Sequence, residues 1–280
     1  MKIIGIDIGG TKIDAALIEN KKVVKKYTCK TPSTESKEIV IKAVESAIEH
    51  LIVPGLSGIG IGVPGLVDLE TNEVIDVVNI PSWDKVPLKQ LLEERFKVPV
   101  YINNDANCFA VGEKHFGKGQ QYHNFVGVTI GTGLGAGIII NNHLYSGKYC
   151  GAGEFGTIYY RDKTVEAYAS GQFFKDKNLS GNKLAADALS GDKEAIQLFN
   201  ELGEHIGRAI ANVLLALAPD AMILGGSVAS SFPLFENGMR SVLENEFPFQ
   251  RLYQSLKIEI SELQDSAVLG ASSLVLDALE

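Results

Sequence analysis

The sequence of 280 residues lacks the features of secreted, disulfide-linked or membrane proteins. Its three cysteines, Cys29, Cys108 and Cys150, are odd in number and far apart, which fits a reducing compartment; we interpret Cys108 and Cys150 as small buried side chains. No uninterrupted apolar run approaches the ~20 residues needed to cross a bilayer. The N-terminus has no positively charged leader before a long apolar segment. These absences predict a cytoplasmic protein without a membrane partner.

Several classes of site are also disfavoured. The formal net charge is -8 and no Lys/Arg cluster is present, which argues against a nucleic-acid surface. The five histidines show no ligand spacing with one another or with cysteine, so a zinc cage is not expected. No Gly-x-Ser-x-Gly motif or Cys/His pairing indicates nucleophilic catalysis. The acidic balance does not exclude ATP, because backbone amides and Mg²⁺ neutralise phosphates locally.

A pattern of two apolar runs separated by a glycine turn occurs twice in the chain. Residues 4–18 and residues 126–140 align at a constant offset of 122 residues, so that Gly5 meets Gly127 and Gly9 meets Gly131. Solenoid repeats have periods of roughly 20–50 residues. The longer offset therefore predicts a duplicated domain, in which two related halves offer glycine turns to one ligand.

The first copy has the residue types that a phosphate site needs. Residues 3–8 and 12–18 read as two antiparallel strands, and Gly9 and Gly10 between them let an anion approach the amides closely. Thr11 adds a hydroxyl, Lys12 adds a positive charge, and Asp7 ends the incoming strand, where it would hold Mg²⁺. A strand follows these glycines, whereas Walker and Rossmann motifs require a helix.

One such copy is equally typical of an ordinary Gly-Gly hairpin. The second copy, with Gly131, Thr132 and Gly133, favours phosphate binding. A third glycine turn, at Gly225 and Gly226 after a predicted strand, is a candidate site for the adenine or its ribose.

Three carboxylates are candidates for the chemistry. Asp105 lies between a predicted strand and a predicted helix, where Asn or Asp is commonly only an N-cap; its place before the second glycine turn favours a ligand-binding role. Glu166 opens a predicted helix, where an acidic residue is also ordinary dipole compensation. Glu154 lies in a glycine-rich loop and has a weaker structural explanation.

Hydrophobic periodicity predicts the other elements. Strands are expected at residues 23–29, 57–63, 99–102, 125–130, 136–140, 143–145, 221–224 and 258–260. Helices are expected at residues 36–51, 88–96, 106–115, 166–174, 187–202, 205–218 and 267–279. Hairpins are expected within residues 66–78 and 158–165. The last helix is expected to pack back on the first domain.

Motifs spread over nearly the whole chain resemble the ROK family of sugar kinases. They are DIGGTK at residues 7–12, GVPG at 62–65, NNDANCFAVGE at 103–113, GTGLGAG at 131–137, GAGEFG at 151–156, EAYASG at 166–171 and ILGGSV at 223–228. The resemblance implies an α/β protein with a duplicated actin-like, ribonuclease H-like (ASKHA) fold. It implies two domains with an intervening cleft, residues 1–116 joined by the C-terminal helix 267–280 and residues 117–266, and a homodimer.

The resemblance also assigns roles to residues. Asp105 would be the catalytic base that takes the proton from the attacking sugar hydroxyl. The sugar pocket would contain Gly65, Asn79, Asn104, Asp105, Glu154, Thr157 and Glu166. ATP would be held by Asp7 (through Mg²⁺), Gly9, Gly10, Thr11, Lys12, Gly131, Thr132, Gly133, Gly225 and Gly226.

The sequence departs from the family pattern at a zinc site. Many members carry a Cys-x-Cys-Gly-x-x-Gly-Cys run before the equivalent of Glu166, and a histidine three residues after the equivalent of Glu154. Here residues 159–165 contain no cysteine and Thr157 replaces the histidine. We therefore expect no zinc, and Thr157 would either substitute as a hydrogen-bonding group or only pack.

The resemblance implies an ATP-dependent kinase for the primary hydroxyl of a hexose, with glucose preferred and fructose, mannose, allose and N-acetylhexosamines as alternatives. A non-catalytic sugar-sensing protein is the alternative of another class. Repressors in the family carry a DNA-binding segment ahead of the kinase-like part, and this sequence starts at the first phosphate strand, which favours the enzyme. An actin-like nucleotide-binding protein without sugar chemistry would not need Asp105, Glu154 and Glu166 together.

Overall fold

The computed structural model describes residues 1–279. The chain divides into two compact units. Unit 1 comprises Met1–Gln121, Gly137–Ala152 and residues from Glu262 onward, and unit 2 comprises Tyr122–Ala136 and Gly153–Ser261. The predicted boundary between residues 116 and 117 stays a prediction, and residue 280 of the predicted last helix lies outside the described residues. No helix among residues 1–279 is both long and apolar enough to cross a membrane.

The first part of the chain forms a five-stranded sheet with flanking helices and a separate pair of short strands within residues 66–75. Its elements are β1 (Lys2–Ile8), β2 (Lys12–Glu19), β3 (Lys22–Lys30), α1 (Lys37–Glu49), β4 (Leu56–Val63), β5 (Leu66–Asp68), β6 (Glu73–Ile75), α2 (Leu88–Phe96), β7 (Val100–Asn104) and α3 (Asp105–Phe116). The strand order is β3-β2-β1-β4-β7. β2 runs antiparallel to both its neighbours, and β4 runs parallel to β1 and β7. The carboxyl ends of β1, β4 and β7 therefore meet at one edge.

The rest of the chain forms a second five-stranded sheet and a separate pair of short strands within residues 159–164. Its elements are β8 (Phe125–Ile130), β9 (Leu134–Ile140), β10 (His143–Leu144), β11 (Tyr159–Tyr160), β12 (Lys163–Thr164), α4 (Val165–Ala169), α5 (Gln172–Lys175), α6 (Gly181–Leu189), α7 (Lys193–Leu217), β13 (Ala221–Gly225), α8 (Phe232–Asn245), α9 (Gln250–Ser255), β14 (Lys257–Ile260) and α10 (Ser266–Asp277). The order β10-β9-β8-β13-β14 repeats that of the first sheet. The α/β class and the predicted duplication are confirmed.

The last helix, α10, completes unit 1. It packs on β1, β4 and α3, and glycines on the strands permit this close contact. A Cβ atom at Gly60 would lie 1.8 Å from the carbonyl oxygen of Ala271, and one at Gly5 would lie 2.0 Å from that of Val268. The opposite face of the sheet is apolar, with Ile4, Ile6 and Ile61 fully buried in a cluster with residues of α1.

Most predicted strands and helices are found within one or two residues of their predicted ends, and residues 88–96 and 125–130 match fully. The predicted helix 166–174 is wrong, because Ser170 adopts an extended backbone (φ -141, ψ -171) and separates α4 from α5. The helix predicted at 205–218 begins much earlier, at Lys193, where Asp192 accepts a capping hydrogen bond from the Ala195 amide (2.8 Å).

The region of α6 and α8 also differs from the prediction. The helix predicted at 187–202 is interrupted at Gly191, whose φ of +93 is a left-handed conformation that favours glycine. Helix α8 was not predicted, although a proline stands in its first turn and Phe235, Met239 and Val242 follow at helical spacing.

Candidate functional site

The first glycine turn lies between β1 and β2 in unit 1. It is closed by the Gly9 amide, which donates to the Lys12 carbonyl (2.9 Å). Thr31 supports it from the end of β3, because its amide donates to the Thr11 carbonyl (3.0 Å) and its hydroxyl to the Gly9 carbonyl (2.6 Å). A Cβ atom at Gly10 would lie 2.5 Å from Cβ of Asn79. The predicted sugar-pocket residue Asn79 is thus packed against the predicted phosphate turn.

The carboxylate of Asp7 lies beside this turn. β1 and β2 pair Asp7 with Asp14, and Asp14 forms an ion pair with Lys12 (2.6 Å). Burial, together with the carboxylates of Asp105 and Asp14, raises the pKa of Asp7 to about 7, and Lys12 opposes this shift. Asp7 is therefore only partly ionised near neutrality, and a bound cation would relieve the repulsion among these carboxylates.

Asp105 is the first residue of α3, at the edge where β4 and β7 end. A Cβ atom at Gly62, on β4, would lie 3.6 Å from the Asp7 carboxylate and 3.7 Å from Cα of Asp105. Asp105 is exposed at the surface, but desolvation by the protein atoms around it raises the pKa of its carboxyl, against the effect of the amides of Ala106 and of Asp105 itself. The site therefore holds two carboxylates of raised pKa close together.

The N-cap of α3 is Asn104 rather than Asp105. The Asn104 side chain accepts from the Ala106 amide (2.9 Å) and donates to the Gly65 carbonyl (3.2 Å). Asp105 Oδ1 also accepts from the Ala106 amide (2.8 Å). Because Asn104 caps the helix, the alternative that Asp105 serves only as the cap loses its support.

Two asparagines that the sequence analysis did not assign hold this corner in place. Asn103 Oδ1 accepts from the Asn104 amide (2.8 Å) and from Asn107 Nδ2 (2.9 Å), and Asn103 Nδ2 donates to the Ser146 hydroxyl (3.2 Å). Asn107 is fully buried and also donates to the Cys150 carbonyl (3.2 Å). The spacing of four residues between two asparagines at a helix start was the available signal.

Unit 2 holds the other predicted sugar-binding residues. Glu154 and Thr157 are exposed and belong to one short turn, in which the Thr157 hydroxyl donates to the Glu154 carbonyl (2.8 Å). Gly153 before it has φ +98, and a Cβ atom there would lie 2.0 Å from the Ala136 carbonyl. The Thr157 hydroxyl therefore stabilises the backbone of this turn.

Glu166 of α4 lies against the second glycine turn. Its Oε2 accepts from the Leu134 amide (3.4 Å), and a Cβ atom at Gly133 would lie 2.6 Å from the same oxygen. Glu166 is partly buried. A predicted sugar-binding carboxylate is thus in direct contact with a predicted phosphate turn, within unit 2.

A cavity of about 270 Å³ opens beside that turn. Residues from four segments of unit 2 line it, among them Gly131, Thr132, Gly171, Phe174, Phe199 and Ser227. Gly226 has φ +90, and a Cβ atom there would lie 2.5 Å from the Ile130 carbonyl, so the turn after β13 follows the end of β8 closely. Both polar and apolar residues line the cavity, and it is a candidate site for part of a nucleoside.

The predicted site residues fall into two sets. Unit 1 holds Asp7, Gly9, Gly10, Thr11, Lys12, Gly65, Asn79, Asn104 and Asp105, and unit 2 holds Gly131, Thr132, Gly133, Glu154, Thr157, Glu166, Gly225 and Gly226. Within residues 1–279, no group of three or more His, Cys, Asp or Glu side chains is arranged to hold a metal ion. Asp7 remains the candidate Mg²⁺ ligand, since Mg²⁺ is commonly bound by one or two carboxylates together with substrate phosphates and water.

Comparisons with known proteins all indicate the same protein family. A model described as "ROK family" matches residues 3–278. The xylose repressor of Bacillus subtilis (strain 168) is 33% identical, over 98% of this chain and 77% of its own length. The glucokinase of Thermotoga maritima is 29% identical, over 98% of this chain and 97% of its own.

A solved structure with a similar fold contains bound ligands. The ROK family glucokinase from Streptomyces griseus in complex with glucose and AMPPNP is 29% identical, covers 98% of this chain and 99% of its own, and has a TM-score of 0.82. This chain is therefore similar over its length both to glucokinases and to a xylose repressor.

Proposed function

The chain belongs to the ROK family, and on that premise we propose that it is an ATP-dependent kinase for the primary hydroxyl of a hexose, with glucose as the preferred substrate. The observation that carries the proposal is Asp105, an accessible carboxylate of raised pKa at the start of α3. A general base of raised pKa is better matched to a proton transfer near neutral pH than an ordinary aspartate.

In the proposed reaction Asp105 takes the proton of the sugar hydroxyl as its oxygen attacks the γ-phosphorus. The new O–P bond forms while the bond from the γ-phosphorus to the β,γ-bridging oxygen breaks, and ADP leaves with that oxygen. Asn104 orients neighbouring hydroxyls, since it is itself fixed by Ala106 and Gly65. Such positioning supplies much of the rate in phosphoryl transfer.

The glycine turns would hold the phosphates. The candidate phosphate ligands are the backbone amides of Gly9 and Gly10 and the Lys12 side chain in unit 1, and the amides of Gly131–Gly133 in unit 2. Burial and, after it, the nearby carboxylates of Asp105 and Asp14 raise the pKa of Asp7. A cation beside these carboxylates would relieve their repulsion, and Mg²⁺, when bound, would neutralise phosphate charge there. Glu154 and Glu166 would accept charge-assisted hydrogen bonds from sugar hydroxyls.

A second candidate is a sugar-responsive regulator without kinase activity. The observation that favours it is the 33% identity to the xylose repressor of Bacillus subtilis. Such a protein would bind a sugar but would have no need for a base of raised pKa.

The test is sugar-dependent ADP release in a coupled assay with Mg-ATP. The panel contains glucose, fructose, mannose, allose, N-acetylated hexosamines and xylose. We expect release with at least one hexose, and a fall in kcat of about 10²–10⁴-fold in Asp105→Asn with little change in sugar binding. Asp192→Asn is the matched control, because Asn also serves as an N-cap at the start of α7.

Each result decides between the candidates. Release that survives in Asp105→Asn would remove Asp105 from the role of base. Binding of a sugar by calorimetry without any ADP release would support the regulator.

A further inference from the structure

Ser170 occupies an unusual position at the end of α4. It is fully buried, and its Oγ lies 2.6 Å from the Glu166 carbonyl oxygen and 2.9 Å from the Thr132 carbonyl oxygen. The Gln172 amide donates to the same Oγ (3.2 Å). The single hydroxyl proton is shared between these two carbonyl oxygens. The Ser170 side chain therefore connects α4, which carries Glu166, to the second glycine turn.

The next residue makes a second connection. The Gly171 amide donates to the Gly131 carbonyl (2.8 Å), and a Cβ atom at Gly171 would lie 2.8 Å from that oxygen. We call residues 166–171 the strap. Glu166 Oε2 also accepts from the Leu134 amide. The strap is therefore hydrogen-bonded to three of the four residues in the segment 131–134.

The strap belongs to both predicted ligand sites of unit 2. Glu166, at its start, is the candidate sugar-binding carboxylate. Gly171, at its end, lines the cavity that also contains Gly131 and Thr132. A ligand at either end therefore meets the same hydrogen-bonded backbone.

We propose that Ser170 is a positioning residue through which sugar and nucleotide binding strengthen each other, an inference that rests on the proposed function. Without sugar, the Glu166 carboxylate faces the turn at which phosphates would bind, and like charges repel. Sugar hydroxyls that donate to Glu166 disperse this charge. They also fix the strap in the position that the turn needs.

The sign of the coupling follows from this arrangement. Sugar raises the affinity for nucleotide, and by thermodynamic linkage nucleotide raises the affinity for sugar by the same factor. Removal of the Ser170 hydroxyl loosens the strap from the Thr132 carbonyl and lowers that factor. Ser170 need not touch either ligand.

Calorimetric titrations with glucose and AMPPNP test the proposal. Each ligand is titrated alone and in the presence of the other, and the hexose that is most active in the panel replaces glucose if glucose does not bind. In the wild-type chain we expect a coupling factor of about fivefold or more, equal in both directions. In Ser170→Ala we expect the factor to fall below about twofold, while each ligand still binds alone.

Two variants separate positioning from general stability. Ser170→Thr keeps the hydroxyl on a backbone that is already extended, and we expect it to restore the coupling. Ser273→Ala is the matched control, because Ser273 is also fully buried and donates to a carbonyl within its own helix in unit 1 (2.8 Å). It is expected to lower the melting temperature without changing the coupling factor.

The outcomes are distinguishable. Two ligands that bind independently in the wild-type chain, or a coupling factor that is unchanged in Ser170→Ala, would overturn the role of Ser170 and leave the proposed kinase standing. A chain that binds neither hexose nor AMPPNP would overturn both proposals.

Discussion

At the scale of single residues, Asp7 shows how a site can oppose stability. Its folded-state pKa is raised to about 7 by burial and by the carboxylates of Asp105 and Asp14. The folded chain therefore holds this proton more tightly than the unfolded chain does. Asp7 contributes stability below its unfolded pKa, and this contribution is lost as the pH rises from about 4 through 7.

Asp7→Asn removes the charge and should stabilise the free chain at pH 8. The gain is expected to be about 1–4 kcal/mol, since each pKa unit corresponds to about 1.4 kcal/mol, and to vanish near pH 4. Urea unfolding of both chains between pH 4 and pH 8, without ligands, measures it. Asp84→Asn, at an exposed residue, is the control; a gain of equal size at both pH values would contradict the charge explanation.

The same carboxylate should affect activity in the opposite direction. Below pH 7, protonation of Asp7 weakens its attraction for Mg²⁺, so kcat/KM for Mg-ATP is expected to fall as the pH is lowered from 8 to 6. A profile of initial rates at saturating sugar measures this dependence. A fall of equal size in Asp7→Asn would assign it to another group.

The sequence supplied candidate residues for the site, but it did not supply the hydrogen bonds that hold them in place. Asp7, Asn104 and Asp105 could be proposed because they lie in sequence motifs, where the residue types and their order match a known pattern. The bonds of Asn103 to Ser146 and of Ser170 to Thr132 could not be predicted, because these partners lie in distant segments of the chain. Such pairings are set by the fold and leave little trace in local composition.

At the scale of elements, the contact between α10 and the first sheet depends on the absence of side chains. Gly60→Ala would place a Cβ atom 1.8 Å from the Ala271 carbonyl oxygen, and neither backbone can yield without losing its own hydrogen bonds. We expect a loss of about 1–3 kcal/mol or more in the free energy of unfolding, measured by urea titration. Gly151→Ala is the control, since its Cβ atom would meet its neighbours at 3.4 Å and beyond; equal losses would contradict the packing explanation.

The ends of helices and strands could be predicted where apolar periodicity determines them. The predictions were wrong where hydrogen bonds to distant segments determine where an element ends. Leu88–Phe96 shows helical periodicity along its length, and its prediction is confirmed. The predicted helix 166–174 fails at Ser170, because bonds to the turn at Gly131 hold that residue extended. Helix α8 was missed because Gly238 interrupts its pattern, although that glycine permits contact with Asn200 of α7.

At the scale of the whole molecule, ligand binding should be visible as global stability. AMPPNP at about 100 times its Kd would stabilise the chain by about 2.7 kcal/mol, equivalent to a rise in melting temperature of about 5 °C. Differential scanning fluorimetry with Mg²⁺ and AMPPNP measures this. In Gly171→Ala, where a Cβ atom would press on the Gly131 carbonyl, the rise should disappear; a rise of equal size would place the nucleotide elsewhere.

The duplication was the part of the architecture that the sequence predicted most directly. A constant offset between two glycine turns is a property of the sequence alone, and both sheets have the same strand order. The return of residues 137–152 to unit 1 was not foreseen. Contacts between segments far apart in sequence decide it, and periodicity carries no information about them.

The return of α10 to β1 and β4 also has a consequence for biosynthesis. The glycine-lined face of the first sheet leaves the ribosome early, but its cover, Ser266–Asp277, is among the last segments to be made. Unit 2 ends at Ser261, so its segments are all synthesised before that cover is complete. N-terminal domains usually fold first during translation, but here we expect the first sheet to be completed only after the end of the chain has been made.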